Sequence, residues 1–347
     1  MVRASHFLHE KTNVISVIDE NSKLEKYYKD TKYKYYKIKK TAFISSYIRA
    51  KKLAKIIDDN KIDIIHAHWT KDLLVAVLAK KLSTCKPDIA QTRNMTMTRF
   101  KDDFYHRWLY RSISLLLPVT FQVKEQLEKF IPQEIRPKIE VLYMGAETPQ
   151  KISVEEKQKL RLQYNLGSSF TVGIVGRIEE DKGQYLVVDA VKKLLSKTFD
   201  IKALIVGSPM NEIYLKELKD SIKKEGIEKN IIFTGFTTEA QKLMQVCDVI
   251  VLATRRETFG LVLIEAMKSG VSVIGTDNAG PLEIIDDKES GLLFKMKDSD
   301  SLAQKIKLLI ENEELKNKLA RNANEKAMKV FDSEVQFEKL FGVLNAS

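Results

Sequence analysis

The chain has 347 residues, 44% apolar and 30% charged with only 14 Gly and 7 Pro, which excludes collagen, disordered tails and low-complexity linkers and suits two globular domains. Its net charge of +11 lies wholly in residues 1–150, where 28 Lys and Arg face 17 Asp and Glu, against 30 and 30 in the remainder. Cys85 and Cys247 lie far apart in no metal-ligand or redox spacing, no apolar run nears the roughly 18 residues of a membrane span, and residues 1–25 lack a signal peptide's apolar core; a cytoplasmic chain, soluble or bound at a membrane surface, is expected.

Short β-branched runs alternate with amphipathic stretches, the pattern of parallel sheets covered on both faces. In the first half NVISVI (13–18) reads as a strand, 44–59 as a helix, IDIIHAH (62–68) as a buried strand, 73–82 as a helix, and PDIAQTR (87–93), SLLLPVT (114–120) and KIEVLYMG (138–145) as strands. The alternation restarts with strand 170–178, helix 184–196, strand 201–208, helix 211–225, strand 230–236, helix 239–245, strand 248–254, helix 260–269 and strand 271–277; residues 301–347 read as closing helices. The pattern predicts an α/β protein of two doubly wound domains, 1–147 and 148–330, with an amphipathic helix from 331 to the end.

Much of the basic excess falls in residues 21–57, where lysines interleave with Tyr27, Tyr28, Tyr33, Tyr35 and Tyr36. Such a surface attracts anions. An anionic membrane surface is the favoured partner and nucleic acid the rival; a solvated helix face beside a Tyr-rich edge strand is the plain alternative. No nucleic-acid motif accompanies the charge, so no nucleic acid is expected as a partner.

The first glycine is Gly145, and the other thirteen follow it. Strand-to-helix turns that admit a phosphate usually need glycine, because a side chain would block the approach of backbone N–H groups, so phosphate chemistry belongs to the second half. In ATRRETFGLVLIEAMKSG (253–270) a strand runs into a polar turn holding Glu257, and Gly260 opens a helix whose free N–H groups at Gly260 and Leu261 favour an anion. Glu257 and Glu265 flank that anion site, and carboxylates so placed need donors such as sugar hydroxyls; two ordinary exposed acids at a helix start are the alternative. In VGRIEEDKG (175–183) a strand ends at Gly176, and Arg177 and Lys182 reach the same sheet edge, where two cations can neutralise a diphosphate without metal. Gly207 and Gly235 add two more turns there, suited to a nucleotide base or simply ending strands.

These motifs carry a resemblance. ETFGLVLIE (257–265), with EAMKSGVSVIGTDNAGPLEII, VGRIEEDKG and IIFTGF, resembles the donor domain of retaining glycosyltransferases of family 4, which have the GT-B fold of two Rossmann-like domains facing across a cleft. DIIHAHW and QTRNM resemble that family's strand ending in His and its T-R-H element. The resemblance implies that Glu257 contacts the donor sugar, Glu265 the ribose, Arg177 and Lys182 the diphosphate, and the turn of Thr258, Phe259, Gly260 and Leu261 the sugar and phosphate. It further implies a retained anomeric configuration, no metal or other cofactor beyond the nucleotide-sugar co-substrate, and a last helix crossing back to the first domain.

Two departures stand out. Asn94 replaces the T-R-H histidine beside Arg93 and can hydrogen-bond but not shift protons. His66 and His68 remain on the acceptor side; His68 is the catalytic choice, with packed structural histidines as the alternative. The family's opening strand and Gly-rich loop have no counterpart before Gly145, so the N-terminal domain is expected to be incomplete and acceptor handling impaired. The leading expectation is a transferase moving a sugar from a nucleotide donor to a cell-envelope glycan or lipid-linked acceptor at the inner face of the cytoplasmic membrane. A donor-binding protein without turnover is the alternative. A nicotinamide enzyme is disfavoured because no G-x-G-x-x-G follows a strand.

Overall fold

The computed structural model describes residues 1–39 and 45–346; Lys40 of the basic stretch and residue 44 of the expected helix lie outside the described residues. The chain divides into two units, Met1–Tyr143 with Glu334–Ser347, and Met144–Ser333. In the first unit the order is α1 (Val2–His9), β1 (Ser16–Asp19), β2 (Tyr35–Ile38), α2 (Ser45–Asn60), β3 (Ile64–Ala67), α3 (Leu73–Leu82), β4 (Asp88–Arg93), α4 (Phe104–Tyr110), β5 (Leu115–Pro118), α5 (Phe121–Phe130) and β6 (Lys138–Ile139). The second holds α6 (Val154–Gln163), β7 (Phe170–Val175), α7 (Gln184–Leu195), β8 (Ile201–Val206), α8 (Glu212–Lys224), β9 (Ile231–Gly235), α9 (Ala240–Gln245), β10 (Val249–Leu252), α10 (Leu261–Lys268), β11 (Ser272–Thr276), α11 (Pro281–Ile284), β12 (Leu292–Phe294), α12 (Ser299–Glu311) and α13 (Glu313–Val330), and α14 (Ser333–Asn345) follows.

Every paired strand is parallel, in sheets ordered β1-β2, β3-β4-β5-β6 and β12-β11-β10-β7-β8-β9. The apolar runs explain this arrangement, since both faces of a parallel strand meet helices. Leu115, Leu116 and Leu117 of β5 and Val249, Ile250 and Val251 of β10 are fully buried. Each such side chain contributes roughly 1.5–3 kcal/mol over an exposed one. Side-chain caps fix where helices start: Thr120 accepts from the Val123 N–H at 3.2 Å before α5, and Asn211 from the Ile213 N–H at 2.9 Å before α8.

In the six-stranded sheet the chain runs outward from β7 through β8 to β9, then returns to the other side of β7 with β10, β11 and β12. The order thus reverses between β7 and β10, and the crevice beyond the carboxyl ends of such strands is where open α/β sheets bind ligands.

Two expectations are corrected. The strand expected over 138–145 is regular only at Lys138–Ile139; beyond it the Glu140 and Leu142 N–H groups still bond the Leu116 and Pro118 carbonyls of β5 at 3.0 and 2.9 Å, and the Val141 carbonyl accepts from the Lys339 ammonium at 2.8 Å. The boundaries expected at 147 and 330 fall instead after Tyr143 and Ser333: the Ala146 N–H bonds the Phe331 carbonyl at 2.9 Å and the Ser333 N–H bonds the Ala146 carbonyl at 3.1 Å, tying 144–147 to the end of the second unit. The tyrosines of the basic stretch differ: Tyr27 is 48% exposed, and Tyr33, Tyr35 and Tyr36 are half-buried. Tyr28 is buried with its hydroxyl 2.9 Å from the Ser5 hydroxyl, and Tyr33 stacks on His9 at 4.4 Å between centroids.

Candidate active site

The crevice between β7 and β10 is built by two loops, 176–183 after β7 and 253–260 after β10. The Lys182 ammonium lies 3.1 Å from the Glu257 carboxylate, with both side chains about three-quarters buried. Two of the residues picked out by the sequence, 75 positions apart, therefore form one half-desolvated ion pair at the switch point. Arg177 goes elsewhere: its guanidinium meets Glu179 at 3.1 Å and is 58% exposed. The two cations expected to converge are thus divided, Lys182 on Glu257 and Arg177 on Glu179.

A clasp that sequence reasoning missed sets the register of the loops. The Asp181 carbonyl accepts from the Arg255 N–H at 2.9 Å and from the buried Thr254 hydroxyl at 3.0 Å, while its carboxylate pairs with the Arg255 guanidinium at 2.5 Å. The buried Gln184 amide holds the loop's other end, donating to the Arg177 carbonyl at 2.9 Å. A cavity of 130 Å³ opens beside the clasp, lined in part by Gly183, Tyr185, Ala253 and Met296.

The next turn leads into α10. Half-buried Thr258 follows Glu257, and Phe259 is buried with its ring edge-on to Phe331 at 6.0 Å. Gly260 is the N-cap of α10, and among the described residues no backbone partner is taken by its N–H or that of Leu261. Glu265 lies one turn further on and is half-buried. At the remaining rim glycines the Gly176 N–H donates to the Val206 carbonyl at 2.9 Å and the Gly207 N–H to the Gly235 carbonyl at 3.1 Å, which ties the strand ends together. A second missed device is Lys268, whose wholly buried ammonium bonds the Ala146 carbonyl at 2.8 Å and Asp332 at 2.5 Å, anchoring α10.

In the first unit the His66 Nε2 lies 2.8 Å from the Thr92 hydroxyl, and the His66 and His68 rings are 4.3 Å apart. Burial lowers His66 to about 4; burial and then the neighbouring His66 lower His68 to about 2, so both rings are neutral at physiological pH. Arg93 donates to the Thr70 hydroxyl at 2.6 Å and to the Met95 and Thr96 carbonyls at 2.9 and 3.2 Å, which fixes its guanidinium on this loop. Asn94 is exposed. Among the described residues, no group of three or more His, Cys, Asp or Glu is gathered to hold a metal ion.

Comparison with known proteins decides the family. The profile described as glycosyl transferases group 1 matches residues 156–326, and that described as glycosyl transferase 4-like matches 1–121, so between them they span most of both units. This chain belongs to the group 1, family-4-like glycosyltransferases. Among relatives of this glycosyltransferase, the capsular polysaccharide biosynthesis glycosyltransferase CapM of Staphylococcus aureus is 24% identical over 98% of this chain and 91% of its own length. The Campylobacter jejuni N-acetylgalactosamine-N,N'-diacetylbacillosaminyl-diphospho-undecaprenol 4-alpha-N-acetylgalactosaminyltransferase is 31% identical over 65% of this chain and 58% of its own. Anabaena Alr3699/HepE, solved in complex with UDP, superposes with a TM-score of 0.81 at 22% identity, over 93% of this chain and 88% of that one. The fold of this glycosyltransferase is accordingly GT-B.

Proposed function

We propose that this glycosyltransferase moves a sugar, with retention of anomeric configuration and without a metal, from a nucleoside-diphosphate donor to a lipid-linked or glycan acceptor of the cell envelope, at the cytoplasmic face of the membrane. The observation that carries the reading is the Lys182–Glu257 pair at the switch point, beside the unpartnered N–H groups that open α10. A diphosphate entering there meets those N–H groups and the positive end of the helix dipole, and Lys182 exchanges Glu257 for phosphate. The freed Glu257 carboxylate then accepts from sugar hydroxyls, Glu265 takes the ribose, and Arg177, exposed on its loop, swings onto the departing diphosphate. His68, held neutral, can only orient a hydroxyl by hydrogen bonding. Rate enhancement comes from positioning and from charge stabilisation of the leaving diphosphate. The names of the relatives support the substrate classes: one serves capsular polysaccharide synthesis, one acts on a diphospho-undecaprenol substrate, and the Anabaena protein was solved with UDP.

A rival reading, donor binding without turnover, is favoured by one observation: exposed Asn94 stands where a proton-shifting histidine is expected. Both readings are tested by following UDP-, GDP- and ADP-sugars with the purified chain, with and without EDTA and a polyprenyl-phosphate-linked sugar acceptor, and reading product stereochemistry by NMR. Retained configuration and EDTA-insensitive turnover support the transferase. Binding without product in any combination establishes the rival, and inverted product refutes the retaining mechanism.

A further inference from the structure

The segment joining β4 to α4 places large apolar side chains in water: Met95 is 64% exposed, Phe100 65%, Phe104 88% and Tyr105 45%. The segment is held in this presentation. The Lys101 N–H donates to the Phe130 carbonyl at 2.9 Å, the Phe100 ring stands edge-on to Phe130 at 5.3 Å, and Asp103 caps α4 by accepting from the His106 N–H at 3.0 Å. Arg99 and Lys101, on either side of Phe100, have no ion-pair partner among the described residues. The acidic neighbours are already taken, Asp102 by Arg107 at 2.7 Å and Asp103 by His106 at 2.5 Å. Burial and then the charges of Arg99 and Arg93 lower the Lys101 ammonium, opposed by the Asp103 carboxylate, which is itself bonded to His106. Two aromatic rings projecting beside unpaired cations match one environment, in which rings enter the acyl boundary while cations meet phosphates.

We propose that residues 99–105 are a membrane wedge, Phe100 and Phe104 inserting into an anionic bilayer while Arg99 and Lys101 bind its lipid phosphates. The wedge deepens the proposed function, on which it rests for the presence of a lipid-borne acceptor, and it shifts the point of attachment away from the Lys/Tyr stretch. There Tyr28 and Tyr33 are packed, and α2 offers solvent chiefly Lys51, Lys52 and Lys55 beside Tyr47 and Ile48.

Co-sedimentation of the full chain with phosphatidylcholine vesicles, with and without phosphatidylglycerol, tests the wedge. Variants are Phe100→Ser/Phe104→Ser, Arg99→Gln/Lys101→Gln and, for α2, Lys51→Gln/Lys52→Gln/Lys55→Gln, each checked by circular dichroism. Expected is phosphatidylglycerol-dependent binding that falls about tenfold in the Phe variant at any salt, falls in the Arg/Lys variant chiefly at low salt, and survives in the α2 variant. Binding by the Phe variant equal to wild type overturns the proposal, as does absence of binding by wild type. A concentration-dependent dimer that the Phe variant abolishes, without vesicle binding, assigns the face to a second copy and likewise overturns it. Donor hydrolysis measured without vesicles separates the two claims: turnover without vesicle binding sinks the wedge alone, and vesicle binding without turnover sinks the transferase reading alone.

Discussion

Gly183 packs against Ala253 of the other site loop, so Gly183→Ala tests the architecture of the crevice. Its φ is +73°, and an added Cβ would stand 2.3 Å from the Ala253 carbonyl oxygen and 2.9 Å from the Ala253 Cβ. The left-handed conformation costs an alanine roughly 1–2 kcal/mol. Relieving a clash against backbone, which cannot rotate away, adds roughly 1–3 kcal/mol. The sum is on the order of 2–5 kcal/mol, and at about 2–4 °C per kcal/mol for a unit of this size Tm falls by roughly 4–20 °C. Relief must move Lys182, next to Gly183, away from the strand end leading to Glu257, so the 3.1 Å pair opens and donor affinity falls with it. Gly226→Ala is the control: φ there is +67° and no atom lies within 4 Å of the added Cβ, so only the conformational cost applies. Differential scanning calorimetry and calorimetric titration with UDP read both quantities. Equal Tm losses in the two variants, with UDP affinity unchanged in Gly183→Ala, would refute the close packing of the loops.

Glu257→Gln should leave UDP affinity equal or higher, because Lys182 no longer has an anionic partner to leave, yet lower sugar transfer about a hundredfold; a parallel loss of both contradicts the exchange. Lys268→Ala removes a buried ammonium from Asp332 and the Ala146 carbonyl, and should cost about 3–5 kcal/mol in urea unfolding; a change near zero would contradict the anchoring role. His66 and His68 lie at about 4 and 2, below the free value of 6.5, so the unfolded chain takes up protons that the folded one refuses. Stability is complete above the unfolded value and is lost as pH falls from about 6.5 toward 4. The unfolding free energy should drop from pH 7 to 5, with a flatter slope in His66→Gln/His68→Gln, and equal slopes would contradict the burial of these rings.

Alternation and glycine placement made the second unit legible, because a β-branched run followed by a polar turn and an amphipathic run leaves a parallel strand little choice but to pack between helices. Helix 73–82 is observed at those residues, since Leu73–Leu82 is an apolar run ended by Ser83. The site was legible where one residue type needs its neighbours, as with Glu257 beside Gly260. It was illegible where function depends on distant segments meeting. Nothing in the sequence joins Asp181 to Thr254 and Arg255, and Lys268 reads as a surface lysine until the chain end brings Asp332 beneath it. Arg93 was read as an acceptor-side cation, and its bonds to Thr70, Met95 and Thr96, which stitch this loop together, were not foreseen. Exposed apolar residues at 95–105 escaped notice because periodicity locates what is buried and is silent on apolar residues in connections.

The central claim is that the β7–β10 crevice binds a nucleoside-diphosphate sugar through Lys182 and Glu257. Calorimetric titration of wild type and Lys182→Ala with UDP-glucose, UDP-N-acetylglucosamine and their GDP counterparts tests it most directly. The account predicts saturable binding of at least one donor by wild type and its loss by tenfold or more, about 1.4 kcal/mol or greater, in Lys182→Ala. Saturable binding of equal affinity in both proteins would contradict it.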